Sequence, residues 1–352
     1  MFPATEDRSV PIAALSTSRL PGQTFEEVFN SVSARSELAL PDQVLSVSRL
    51  QATYDGFIDV PGVGRSSLTP WSRRQLATLL GIRWDRWFAD DLIAPADRAA
   101  EINLRFHRSN DTLKIRTRRW SADETPKGDA VLRAFVSPTY APIDDLCVFE
   151  TLGKVLGEQA QGLLFIRLDV TPESSQYAAV SMEDIDLGIA VPDRHRNGFL
   201  IANSETGSRS LTLLVWIWRL VCTNGLVAPV SHIFRMIHRR RNDGVIQERL
   251  GRAIRLLPEH WRRTETTLRS ARQDAIPDPR ATLEVLVTAH PQLRPISDSV
   301  YAAYDEEPEP NRFGIVQAIT RAAQGLRPED RLTVEEFAGR LAVRSPMLEA
   351  SP

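Results

Sequence analysis

Between Gly198 and Leu226 the chain reads GFLIANSETGSRSLTLLVWIWRLVCTNGL, two apolar runs each closed by a polar cluster. Asn203, Ser204, Glu205, Thr206 and Gly207 end the first run, and Cys222, Thr223, Asn224 and Gly225 end the second. Apolar runs bounded by turn residues read as strands, and pairing of the two runs would bring both clusters close together. The segment from Ser210 to Val221 is also long enough for a buried helix, which periodicity alone does not separate from a strand.

Upstream, LKIRTRRW (Leu113–Trp120) alternates apolar and basic residues, as a strand with one wet face does. A turn through ETPKGD returns the chain along VLRAFVSPTY, so a hairpin is expected. Asp144 or Asp145 then caps a helix ending near Leu156, and GLLFIRLDV and QYAAVSMEDIDLGIAV add strands. The expected class is α+β: an antiparallel or mixed sheet of about four to six strands with helices packed on it, between helical N-terminal and C-terminal regions.

The boundaries that follow are a weakly ordered arm over residues 1–40, with one short helix near Thr24–Arg35, and a helical region over 41–110. An α+β core over 111–242 and a helical region over 243–345 complete the chain. Within 41–110, Val44, Leu45, Val47 and Leu50 have helical spacing after Pro41. Thr69 and Pro70 form an N-cap and first helical position, and Trp84, Trp87 and Phe88 read as packing anchors of a second helix. Pro258 divides or kinks the helical stripe through Val245, Leu250, Ile254, Trp261 and Leu268.

Composition excludes several classes. No apolar run approaches the ~20 residues of a membrane span, and no basic-then-apolar leader opens the chain. Cys147 and Cys222 are the only cysteines, which fits a reducing cytoplasm and excludes a cysteine-based zinc site. The formal net charge of −2 argues against wholesale coating of nucleic acid. Yet 40 of the 43 basic residues are arginine, and eleven of them fall between Arg235 and Arg272 against four acids.

Arg116, Arg118 and Arg119 on the first hairpin, Arg133 opposite them, and Arg235, Arg239, Arg240 and Arg241 could line one groove. It would track a phosphate backbone, with Tyr140, Trp120 or Phe234 as stacking surfaces. The competing reading pairs these arginines with the chain's 45 acids as a solvated surface.

The pieces LTPWSRRQLATLLGI with Asn103 downstream, LRAFVSPTYAPID, GFLIANSETGSRSL, RLVCTNGL, NRFGIVQAITRAAQ and EEFAGRLA, spread from Leu68 to Ala342, resemble a bacterial, phage and plasmid family. That family is domain of unknown function 932, also labelled phage/plasmid-like protein. The resemblance implies a nucleic-acid process, because members tend to sit in mobile elements beside replication and recombination genes. The order hairpin, helix, further strands is also similar to the core of Rad-type single-strand-annealing proteins, a likeness of fold alone.

These observations lead to an expected function: a cytoplasmic protein of a mobile element that binds single-stranded DNA and anneals it. It would act as a homo-oligomer beside phage or host recombination proteins, without cofactor, metal or membrane. Asn203, Arg219 and Asn224 join the arginines and Tyr140 as candidate contacts, Arg219 either reading the ligand or pairing with Glu205. One alternative is an enzyme using Glu205 as acid or base and Cys222 as nucleophile, with His195 or His232 near in sequence, or Asp184 and Asp186 on a magnesium ion. Another is a protein-interaction or anti-defence factor presenting an apolar stripe on its C-terminal helices.

Overall fold

Residues 22–82, 93–186, 194–219, 225–227, 233–239 and 243–343 are described by the computed structural model, and they form two sheets rather than one. Thr24 starts the order: its hydroxyl accepts the Glu27 N–H while the Glu27 carboxylate accepts the Thr24 N–H, a reciprocal cap. Strand β1 (Gln23–Thr24) leads directly into helix α1 (Phe25–Ser36). Val28 and Val32 of α1 are buried, so this part of the expected arm belongs to the core.

The first sheet has the order β2-β6-β7-β5-β4-β3. Its strands are β2 (Gln43–Ser46), β3 (Gln51–Ala52), β4 (Ile58–Val60), β5 (Gly64–Leu68), β6 (Thr112–Arg118) and β7 (Ala130–Val136). Only the β5–β7 pairing is parallel. Helices α2 (Pro70–Leu79), capped by Thr69 as expected, and α3 (Pro95–Arg108) contribute Leu76, Ile102 and Phe106 to its core.

Pro41–Tyr54 is not the expected helix but β2, a 3₁₀ turn and β3. Leu45 and Val47 face the core with strand spacing, while Val44, which completed the helical stripe, is 56% exposed. The expected helix carrying Trp84, Trp87 and Phe88 lies outside the described residues.

Helix α4 (Asp145–Leu156) leads into the second, antiparallel sheet: β8 (Leu163–Val170), β9 (Ser175–Asp186), β10 (Arg194–Asn203), β11 (Leu211–Arg219), β12 (Gly225–Val227) and β13 (Phe234–Met236). The order runs β1-β8-β9-β10-β11-β12, with β13 also paired to β11. The long apolar segment is therefore strand β11. One face, with Phe199 and Ile201, packs on α1, α4 and α5 (Asp243–Arg255). The other, with Leu200, Leu214 and Trp216, meets Leu332 of a C-terminal helix. Cover on both faces explains why these strands are apolar without alternation.

The remaining helices are α6 (Leu257–Gln273), α7 (Pro279–Ala289), α8 (Ser297–Glu306), α9 (Arg312–Ala322) and α10 (Pro328–Val343). Pro258 stands in the first turn of α6 and separates it from α5, as its missing N–H allows. Among the described residues no helix is long and apolar enough to cross a membrane.

The β10–β11 hairpin separates the described parts of the two polar clusters, Asn203–Gly207 and Gly225. Ala202 pairs with Thr212 beside the turn, whereas His195 pairs with Arg219 at the far end. Asn203 and Glu205 thus lie at one end of β11; Arg219 and Gly225, which flank Cys222 and Asn224, lie at the other. Seven residues of strand separate the ends by roughly 23 Å at ~3.3 Å per residue.

Candidate functional site

The loop from Ser204 to Ser210, between β10 and β11, has a different neighbour on each side. Toward the first sheet it meets arginines of the β6–β7 hairpin. A bulge in that hairpin pairs Arg116 with Ala134 and Thr117 with Leu132, leaving Arg133 over. Arg133 Nη1 donates to Glu205 Oε2 at 2.7 Å. Arg116, buried rather than on a wet face, donates to Asp42 Oδ1 at 3.1 Å, to Asp144 Oδ1 at 3.4 Å and to the Glu205 carbonyl. Arg118 forms a two-pronged pair with Glu124 at 2.6 and 2.7 Å.

Beneath this junction sits a buried polar network. The Asp145 carboxylate accepts the Tyr177 hydroxyl and the Asn203 amide, each at 2.8 Å, and its own N–H donates to Glu205 Oε1 at 3.1 Å. Arg35 donates to the Tyr177 hydroxyl. Burial, then the charge of Glu205, raises the Asp145 pKa against the hydrogen bonds of Asn203 and Ser175. Burial also pushes Glu205 up, but the charge and hydrogen bond of Arg133, the Asp145 N–H and Arg116 outweigh it and leave its pKa lowered. A cavity of about 300 Å³ reaches Asp145, Glu205, Arg35 and Arg133.

Beyond the loop lies a groove of about 710 Å³. Its described lining holds Arg209, Arg235 and Arg239, the hydroxyls of Ser137, Thr139 and Ser210, and no carboxylate. Side chains alternate from Phe234 to Arg239: Phe234, Met236 and His238 point inward, and Arg235, Ile237 and Arg239 outward. Arg235 Nε is steadied by Ser210 Oγ at 3.0 Å, and Arg239 is joined by a β-bridge to Tyr140. The Tyr140 ring stacks on His238 at 5.4 Å, and its hydroxyl donates to the Ser204 carbonyl at 3.2 Å. His238 Nδ1 accepts the Ile143 N–H at 3.0 Å. Burial, then Arg116, lowers the His238 pKa to about 4, opposed by the Arg209 backbone, so this histidine is neutral at pH 7.

Residues 133–291 match the family model for a domain of unknown function, DUF932. No curated protein and no solved structure matches the chain. The DUF932 interval starts at Arg133 and takes in Tyr140, Asp145, the Ser204–Ser210 loop and the groove strand. Arg116, Arg118 and Arg119 fall outside it.

Of the expected contacts, the structure brings together Tyr140, Arg235 and Arg239. Arg116, Arg118 and Arg133 are instead engaged by carboxylates, and Arg119 is exposed, its N–H bonded to the Leu38 carbonyl at 2.8 Å. Asn203 is fully buried and donates to the Ile143 carbonyl and Asp145, each at 2.8 Å. Arg219 pairs not with Glu205 but with Glu307 at 2.8 Å and Glu309 at 4.0 Å, in the acidic loop after α8. Phe234 is core, not a stacking surface, and Trp120 Nε1 is bonded to the Gly128 carbonyl at 3.2 Å.

Asp184 pairs with Arg196 at 2.7 Å. The side chain of Asp186, and Cys222, Asn224, His232, Arg240 and Arg241, lie outside the described residues. The described residues hold no group of three or more His, Cys, Asp or Glu suited to a metal ion. Sequence reasoning missed Arg209, Ile237, Asp42, Asp145 as a network member and Tyr177. The period-two pattern of FRMIHR was the available signal for Ile237, since it places that residue midway between two arginines on one face.

Proposed function

We propose that this chain binds nucleic acid, taking a phosphate backbone along the groove between Ser137–Tyr140, the Ser204–Ser210 loop and Phe234–Arg239. The observation that carries the reading is the groove's makeup: two outward-facing arginines, Arg235 and Arg239, and no carboxylate in its described lining, while the third arginine there, Arg209, has a buried Nη1 and lies under the charges of Glu329 and Glu336. Across the Ser204–Ser210 loop from the groove, Arg116, Arg118 and Arg133 each have an acid. Phosphates would supply the missing counter-charge, and release of their counterions would make binding fall steeply with salt. Service in a mobile element, and annealing of complementary strands by several copies side by side, belong to the same proposal.

The geometry favours neither alternative. Ser204, Thr206 and Ser208 all donate to the Glu173 carbonyl, which is how a loop is fixed and not how a substrate is held. The Asp145 carboxylate is already taken up by Tyr177 and Asn203. On α7 to α10, Val285 and Val343 are the large apolar side chains exposed among the described residues, and they form no stripe.

The test is fluorescence anisotropy with a labelled oligonucleotide between about 50 and about 200 mM salt. The parent chain should lose affinity along a log–log line. Arg235→Gln with Arg239→Gln should weaken binding at least roughly tenfold and flatten the slope by about two. A Kd indifferent to salt, or a double variant that binds as the parent does, defeats the reading.

A further inference from the structure

The groove's charge accounts for phosphates but not for Ile237. This side chain is 57% exposed, stands between outward-facing Arg235 and Arg239, and is the exposed large apolar side chain among the described lining residues. Tyr140 cannot take its place as a platform. One face of its ring is stacked on His238 and its hydroxyl is committed to Ser204. A side chain at Gly207, whose φ is +84°, would come within 3.4 Å of the same ring, so the loop crowds it as well.

From this we infer that the strand crossing the groove is unpaired, with a base turned out onto Ile237 between the phosphates held by Arg235 and Arg239. The inference rests on the reading of the groove as a nucleic-acid site and adds the class of strand. The strand ends at Met236 and the Arg239 N–H bonds the Ile237 carbonyl at 2.9 Å, so the two arginines flank Ile237 at less than the roughly 13 Å that a fully extended segment would give. A duplex presents charged rails with its bases stacked inside. Ile237 would then be pressed against sugar and phosphate, and its apolar surface would gain no cover. An unpaired strand has free base faces, and covering an exposed aliphatic side chain with one removes apolar area from water on both partners. An acidic peptide could meet the arginines equally well but has no flat apolar face to offer at that spacing.

The experiment compares the full-length parent, Ile237→Ser and Ile237→Leu on a labelled oligothymidine and on a duplex of the same length, across the same salt range. The parent should prefer the unpaired strand. Ile237→Ser should weaken that strand roughly three- to tenfold with an unchanged salt slope, and should leave duplex affinity where it was. Ile237→Leu should restore the parent's value. Equal affinity of the parent for both nucleic acids, equal loss on both in Ile237→Ser, or displacement of the oligothymidine by polyglutamate at matched charge overturns the inference. The first two outcomes leave the phosphate groove intact. A parent chain that binds neither nucleic acid overturns both readings together.

Discussion

On one side of the Ser204–Ser210 loop, Arg116, Arg118 and Arg133 each meet a carboxylate; on the other, Arg235 and Arg239 stand exposed on a groove whose described lining has none. The residue type is the same and the loop is shared, so the contrast lies in what each guanidinium was given to hold. At the junction the pairs tie the first sheet to the second: Arg133 and Arg116 come from β7 and β6, Glu205 from the loop of the second sheet. Charges buried with partners fasten one arrangement, because breaking a pair strands the survivor. Charges left at a surface without acids do nothing for the fold and remain available to an anion from outside. Arginine content therefore says little until each arginine is matched with its acid.

The strongest way to break this contrast is to remove the acid the junction shares. In Glu205→Ala the Arg133 guanidinium and the Asp145 N–H lose their acceptor at one stroke. The loss should be about 3 kcal/mol of stability, read as a lower denaturation midpoint. The salt slope of oligonucleotide binding should stay where it was. A loss below about 1 kcal/mol, or a steeper salt slope through a freed Arg133, would mean that the junction is not a fastening but part of the binding surface.

His238 tests the groove side from beneath. Its pKa is depressed from the usual histidine value to about 4 by burial and by Arg116. The unfolded chain takes up a proton near pH 6.5 that the folded chain refuses until about pH 4, so stability falls as pH drops through that window. The parent should lose about 3 kcal/mol there beyond what the carboxylates explain. His238→Gln should flatten that part of the stability curve whatever its stability at pH 7. Identical slopes for parent and variant between about pH 6.5 and pH 4 would show that His238 is not the proton-linked group.

How much of this was legible beforehand depends on the range of the forces involved. The Thr69 cap of α2, the β6–β7 hairpin and the break at Pro258 follow from patterns local in sequence, and they stand as read. The second sheet's apolar strands were visible, but not that both faces are covered. Nor was the hairpin direction that puts Glu205 and Arg219 at opposite ends of β11. Pro41–Tyr54 misled because four apolar residues in seven fit two periods, and only packing discards Val44. At the site, Arg235, Arg239 and Tyr140 could be named from local pattern. The partners of Arg116 and Arg133 could not, since Asp144 and Glu205 lie 28 and 72 residues away in sequence.

The smallest expected effect sharpens the comparison most, because it frees a hairpin arginine without touching the junction. Glu124 accepts both prongs of Arg118, together with the N–H and hydroxyl of Ser121, and these hold its pKa down to about 2. A carboxylate so depressed stabilises the fold above its unfolded pKa near 4.5 and loses that contribution as pH falls toward 2. Its side chain is 31% exposed, so solvent screening reduces the expected contribution to about 1 kcal/mol. Glu124→Gln should therefore cost about 1 kcal/mol at pH 7, and the difference from the parent should shrink as both are taken toward pH 3. The decisive readout is oligonucleotide binding. If the phosphate path is confined to the acid-free groove, releasing Arg118 leaves Kd and salt slope unchanged. A slope steeper by about one would extend the path across the hairpin. The carboxylate at Glu124 would then be holding a nucleic-acid contact in reserve, and the division between the two sides of the loop would be one of occupancy and not of design.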